Sequence, residues 1–163
     1  MYIVSACLAG VCTRYDAKSY EDKNIIKLID SKLAILVCPE QLGGLSTPRP
    51  PAEIVGGDGN DVLEGKAAVI NKNGEDVTKS FIKGAEETLR IAVLYKVNKA
   101  ILKSSSPSCG CGRIYDGSFS GNKIDGDGIT SALLKKNGIE VITEEELQQL
   151  ITENCQLKDK EGI

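Results

Sequence analysis

The chain has 163 residues, of which 41% are apolar, 26% charged and 4% aromatic, with six cysteines, no histidine and no tryptophan. Without histidine there is no imidazole base, no Ser-His or Cys-His nucleophile pair and no His-ligated zinc or iron. A formal charge of -3 supplies no general field for a polyanion, and no basic patch stands out, so nucleic acid is not an expected partner.

The opening residues MYIVSACLAG lack a cationic leader, and no apolar run reaches the roughly 18 residues of a membrane span, so a cytoplasmic protein without a membrane partner is expected. In a reducing compartment the six thiols are not three structural disulfides. They are small buried hydrophobes, or they bind or react.

In chain order, the first element is an apolar, β-branched strand from Tyr2 to Ala6. A short amphipathic helix follows over Asp22 to Asp30, then a second strand from Leu33 to Val37. Gln41 to Gly65 is dense in Gly and Pro and reads as irregular; a strand at Lys66 to Ile70 and a turn at Asn73-Gly74 come after it. The strongest helix runs from Thr78 to Tyr95, with Phe81, Ile82, Ala85, Leu89, Ala92 and Val93 on one stripe and Asp76 or Thr78 as cap. A strand at Ala100 to Leu102 leads into a second long, glycine-rich irregular stretch, Ser104 to Gly128. A helix from about Gly128 to Asn137 with Asp127 as N-cap, a strand at Ile139 to Ile142, and a helix opened by a Thr143/Glu146 capping box complete the pattern. Alternating strands and helices imply one α/β domain over residues 1–155 with a mostly parallel central sheet, followed by a polar tail at 156–163.

The cysteines are placed unevenly on this frame. Cys7 directly follows the first strand, Cys38 directly follows the second, and Cys109 lies in the loop after the third. In an open parallel sheet the C-terminal strand ends share one edge, where ligands bind. Three thiols there either converge on a shared metal or cluster site or coincide by chance, and position alone leaves both open. Thiolates without imidazole suit zinc, given a fourth ligand, or an iron–sulfur cluster. Cys12 and the Cys109-x-Cys111 pair offer a fourth thiolate, although both thiols also read as plain loop residues. Cys155 reads as a bystander in the last helix.

Glu40, two residues after Cys38 and behind a stiffening Pro39, is placed to face the same crevice. The serine-rich LKSSSPSCGCG loop offers hydroxyls and free N–H groups and equally suits a phosphate, without any nucleotide-binding glycine motif. Arg14, Tyr15 and Asp16 suit either the pocket lining or a surface turn. The stiff TPRPP loop either aims the Arg49 guanidinium at an anion or, as the simpler reading, leaves it a solvated linker arginine; Asp116, Asp125 and Asp127 suggest an oxygen-ligand cation site but lack its loop spacing and read more simply as turn and cap residues.

The segments SACLAGVCTRYD, VCPEQLGGLSTPRPPAEIVGGDG, SPSCG and YDGSFSGNKIDGDGIT together resemble the thiouracil desulfidase family from Met1 to about Glu144. The resemblance implies a Rossmann-like three-layer α/β sandwich with long active-site loops and an oxygen-sensitive [4Fe-4S] cluster held by three cysteines. It also implies removal of sulfur from a small thiolated uracil, nucleobase or nucleoside, giving the oxo base and sulfide with no electron donor. Carried over by position, it puts the cluster ligands on Cys7, Cys38 and Cys109, the catalytic carboxylate on Glu40 and the catalytic serine on Ser106. The glycines at 43–44 and 117–128 are then expected to let backbone groups approach a uracil edge. The alternative of a different class is a non-catalytic, cysteine-rich zinc or redox module.

Overall fold

The computed structural model describes residues 1–151, so Cys155 and the expected tail lie outside the described residues. Four short strands build the central sheet: β1 (Tyr2–Ser5), β2 (Ala34–Val37), and two later ones introduced below. Between the first two runs α1 (Lys23–Asp30), whose N-cap Asp22 accepts the N–H groups of Asn24 and Ile25 as the sequence pattern implies. α2 (Pro39–Leu42) begins immediately after Cys38, with proline at its first position.

The stretch read as irregular, 41–65, contains β3 (Ala52–Val55) and α3 (Gly59–Leu63); β4 (Ala68–Asn71), the strand expected after it, pairs with β3 in an antiparallel hairpin. The expected strand at Lys66 starts two residues late because the N–H groups of Lys66 and Ala67 both bond the Asp61 carbonyl, closing α3. α4 (Thr78–Leu94) follows, and its buried face is Phe81, Ala85, Thr88 and Ala92. Val93, expected on that stripe, is 65% exposed, because a 3.6-residue period carries the buried line through Ala92 and turns its neighbour outward. Val77 rather than Asp76 or Thr78 holds the N-cap position, although Asp76 does accept the Thr78 N–H.

β5 (Lys99–Leu102) completes the third strand of the central sheet. The second irregular stretch contains the antiparallel hairpin β6 (Arg113–Tyr115) and β7 (Lys123–Asp125). α5 (Ile129–Lys136) is capped by Gly128 instead of Asp127, whose carboxylate is taken by Gly112 N–H and Lys135. β8 (Glu140–Thr143) leads into a helical segment at 144–151, where Thr143 and Glu146 exchange the expected capping-box bonds.

The central sheet has the order β2-β1-β5-β8 and every pairing is parallel. Alternate residues enter opposite layers. Ile3, Ala100, Leu102 and Val141 pack against Ala92 and Leu134 of α4 and α5, whereas Val4, Ile101 and Ile142 pack against Ile25 and Leu28 of α1 and Leu147. A sheet buried on both faces explains why its strands read as continuous apolar runs. The result is the three-layer α/β sandwich, with a satellite core of Ile54, Val69, Phe81, Ile114 and Ile129 joining both hairpins to α4 and α5. Among the described residues no helix is long and apolar enough to cross a membrane.

Candidate active site

Two features of the topology fix where a ligand binds. β1 is followed by β2 on one side and paired with β5 on the other, so the connection reverses direction between β1 and β5. At such a switch point the loops leaving adjacent strands part and open a crevice beyond the C-terminal ends. A cleft of about 520 Å³ lies there. Its lining includes Ser5, Cys7, Cys38 and Cys109, the pair Glu40 and Arg49, Lys103 and Ser106 from the segment after β5, and, on or beside the two hairpins, Glu53, Lys72, Tyr115, Phe119 and Lys123. All five residues that the family resemblance assigns, Cys7, Cys38, Cys109, Glu40 and Ser106, therefore line one cleft. Cys12 is exposed and donates to Ser19 Oγ at 3.8 Å, and Cys111 donates to the Val141 carbonyl at 3.4 Å in a neighbouring cleft.

The thiols sense one another. Burial pushes the Cys7 thiol up to about 11, helped by the charge of Cys38 and opposed by Lys103 and Arg14. Burial also raises Cys109, opposed by the hydrogen bond that Ser5 Oγ donates to its sulfur at 3.4 Å. Ser5 in turn accepts the Lys103 N–H at 3.0 Å, so one buried hydroxyl ties the end of β1 to the exit of β5. Cys38 donates to the Thr13 carbonyl at 3.6 Å.

Glu40 sits in the first turn of α2 and is held from outside the helix. Arg49 Nε donates to Glu40 Oε2 at 2.5 Å, while its other nitrogens donate to the Ser46 and Thr13 carbonyls and to Thr47 Oγ1. The Arg49 side chain is 5% exposed, so the reading of a solvated linker residue is corrected: the stiff TPRPP loop folds back onto the loop after β1, with Arg49 N–H on the Tyr15 carbonyl. α2 itself is pressed onto α4 by two glycines. A Cβ at Gly43 would stand 2.0 Å from the Ser80 carbonyl oxygen and one at Gly84 1.9 Å from that of Pro39. Gly43 therefore serves helix crossing and not approach to a ligand.

In the loop after β5, Ser106 Oγ accepts the N–H groups of both Ser108 and Cys109 at 3.1 Å. Both lone pairs are thereby occupied and the hydroxyl hydrogen is left to donate. Ser108 points away into a bond with Thr130 Oγ1. Lys103 pairs with the nearly buried Glu144, which also accepts Ser104 N–H at 2.8 Å, fastening the loop to the helical segment at 144–151. Arg14 and Tyr15 line the cleft, with Asp16 holding the guanidinium at 3.1 Å. Sequence reasoning missed Lys103 and Glu53 as site residues. The signal for Lys103 was its place one residue beyond a strand, and that for Glu53 was a lone acid in the apolar AEIV run.

The model of the 2-thiouracil desulfurase family matches residues 2–146. A Bacillus subtilis (strain 168) protein described as uncharacterised protein YbbK is 50% identical over 151 residues, spanning 93% of this chain and 100% of its own. Among solved structures, the [4Fe-4S]-dependent thiouracil desulfidase TudS is 41% identical, with a TM-score of 0.80 over 95% of this chain and 97% of that one. The fold, the cleft and these matches agree, and the chain belongs to the 2-thiouracil desulfurase family.

Proposed function

We propose that the chain is a [4Fe-4S]-dependent desulfidase that hydrolyses the thiocarbonyl of a small thiolated uracil. The observation that carries this reading is the meeting of three thiols, a carboxylate and a hydroxyl donor in one cleft at the sheet's switch point. The donor set suits the cluster. Among the described residues no three Cys, Asp or Glu side chains are gathered tightly enough for one metal ion, whereas tetrahedral zinc with Zn–S near 2.3 Å needs sulfurs about 4 Å apart. Three thiols lining one cleft with no imidazole among them, beside Lys103 and Arg14, fit the all-thiolate donor set of an anionic cluster. Cys7, Cys38 and Cys109 would hold it. When bound, a cluster with one iron free of protein ligands supplies a Lewis-acidic, sulfur-seeking atom for the thiocarbonyl. The zinc or redox module is not favoured, because Cys12 and Cys111 stand outside this cleft.

The remaining chemistry belongs to the chain. Glu40 Oε2 is committed to Arg49 and Oε1 has no protein partner among the described residues, so Oε1 takes a proton from the attacking water. The water oxygen bonds to the thiocarbonyl carbon, the carbon–sulfur bond breaks, and sulfur leaves as hydrosulfide. Oxidation states do not change, and the products are the oxo base, hydrosulfide and a proton. Ser106, its lone pairs filled, donates its hydrogen to the ring's oxo or thio group and holds the heterocycle against Glu40.

The test is anaerobic reconstitution followed by iron and sulfide analysis and turnover of 2-thiouracil and 4-thiouracil. About four irons with matching sulfide are expected per chain, with loss of the thiocarbonyl absorbance on mixing. Cys38→Ala should lose both the cluster absorbance and turnover, and an intact cluster that turns over neither substrate overturns the reading.

A further inference from the structure

Glu53 is a charged residue that the proposed reaction does not use, yet it is 7% exposed and lines the cleft. It lies on β3, where alternation sends Ile54 into the satellite core and Glu53 to the opposite face. Oε2 accepts the Phe119 N–H at 3.0 Å, and Oε1 has no protein partner among the described residues. Oε1 is not a buried orphan either, since no such atom exists among the described residues. It therefore opens to the cleft.

The bond that Glu53 makes is itself unusual. Phe119 has φ +56°, a left-handed conformation that a bulky side chain rarely adopts unless its surroundings impose it. Here they do. Glu53 takes its N–H, and the neighbouring Gly117 lies so close to β3 that a Cβ would stand 2.5 Å from the Ile54 carbonyl oxygen. The strained backbone fixes the tip of the β6–β7 hairpin against β3 with the Phe119 ring on the cleft. The chain has only two phenylalanines, and the other, Phe81, is 2% exposed in the core.

Resting on the proposed desulfidase function, we propose that Glu53 and Phe119 form the element that recognises the pyrimidine. The free carboxylate oxygen accepts a ring N–H, and the phenyl ring covers one face of the heterocycle. A thiouracil carries an N3–H donor, whereas a thiocytosine has a bare N3 and keeps only N1–H and its exocyclic amine, so an acceptor set against N3 selects the uracil pattern. Leaving a buried acceptor unpaired is how a site built for a hydrogen bond rejects the analogue without it. Both residues touch substrate for binding and take no part in proton transfer.

The experiment uses reconstituted holoprotein under anaerobic conditions, with the cluster absorbance recorded for every sample. Dissociation constants of the product uracil are measured by calorimetry, and KM and kcat with 2-thiouracil. Glu53→Gln, which can keep the Phe119 bond through its carbonyl but turns an amide donor to the cleft, and Phe119→Leu should each weaken uracil about tenfold or more. Both should raise KM with little change in kcat, and Glu53→Gln alone should narrow the preference for 2-thiouracil over 2-thiocytosine. Unchanged uracil binding in both variants overturns the inference while the function stands. Loss of the cluster or of the thermal transition in Glu53→Gln, with wild-type uracil binding in Phe119→Leu, also overturns it and leaves Glu53 a structural duty. A wild-type holoprotein that neither turns over thiouracil nor binds uracil overturns the function and the inference together.

Discussion

Arg49 and Glu40 are 5% and 16% exposed at their side chains, so neither charge is well hydrated and each depends on the other. Removing one partner of a buried pair costs about 3–5 kcal/mol, whereas replacing both by apolar groups is often close to neutral. Arg49→Met should therefore lower stability by about that amount, and Arg49→Met/Glu40→Leu should recover most of it. Thiouracil turnover should be lost in both, which urea unfolding beside a turnover assay would show. Cys7 is pushed up to about 11 by burial, so in cluster-free protein at neutral pH it carries its proton, which the proposed cluster would have to displace. Iron loading should accordingly improve as pH rises from about 7 toward 9, with release of protons to an indicator dye. An alkylating reagent should label exposed Cys12 before buried Cys7 and Cys109. That Cys7, Cys38 and Cys109 share one cleft could be anticipated because the first two directly follow recognisable strands and the third lies in the loop after another. The place of Arg49 could not, because its partners Glu40 and Thr13 lie 9 and 36 residues away and no local pattern records where a stiff proline loop lands.

At the scale of elements, α2 is only four residues long and owes its place to the surface it rests on. α4 approaches it so closely that the Gly84 position meets the Pro39 carbonyl oxygen at 1.9 Å. The contact is backbone against backbone, which cannot swing aside as a side chain would. Gly84→Ala should cost about 1–3 kcal/mol by overpacking and should displace Cys38 and Glu40 together, so cluster absorbance and turnover fall in parallel. Ala85→Ser on the same helix would destabilise without that coupling if α4 served only as core. Measuring melting temperature, iron content and turnover on both variants separates the two outcomes. The helix itself was readable from its apolar period, whereas Gly84 inside it carried no sign of this role. β4 was readable as a strand at Lys66 to Ile70, whereas its partner β3 and the β6–β7 hairpin were not: strands of three and four residues flanked by Pro and Gly are too short to establish a period, and their pairing is decided by residues outside the local pattern.

For the whole molecule, the three thiols proposed as ligands come from segments that follow three different strands, with β1 between β2 and β5 in the sheet. The order of the strands follows from alternating apolar runs and right-handed crossovers, which is why the sheet and its reactive edge could be anticipated from sequence. The same arrangement makes a bound group a cross-link between distant parts of the chain. Cys7 and Cys38 are separated by α1, and Cys109 comes after both the first hairpin and α4. The unfolded chain does not gather these thiols, so a group that binds only the folded form adds about 2.7 kcal/mol when present at a hundredfold excess over its dissociation constant. For a chain of this length each kcal/mol moves the melting temperature by about 2–4 °C, so loading should raise it by roughly 5–11 °C. Anaerobic stripping with an iron chelator should return the lower value, measured by circular dichroism on one sample before and after treatment. Cys38→Ala should melt at the lower temperature in both conditions, while Cys12→Ala, outside the cleft, should shift as the wild type does. An equal shift in Cys38→Ala would mean that the three strand ends are not joined through their thiols.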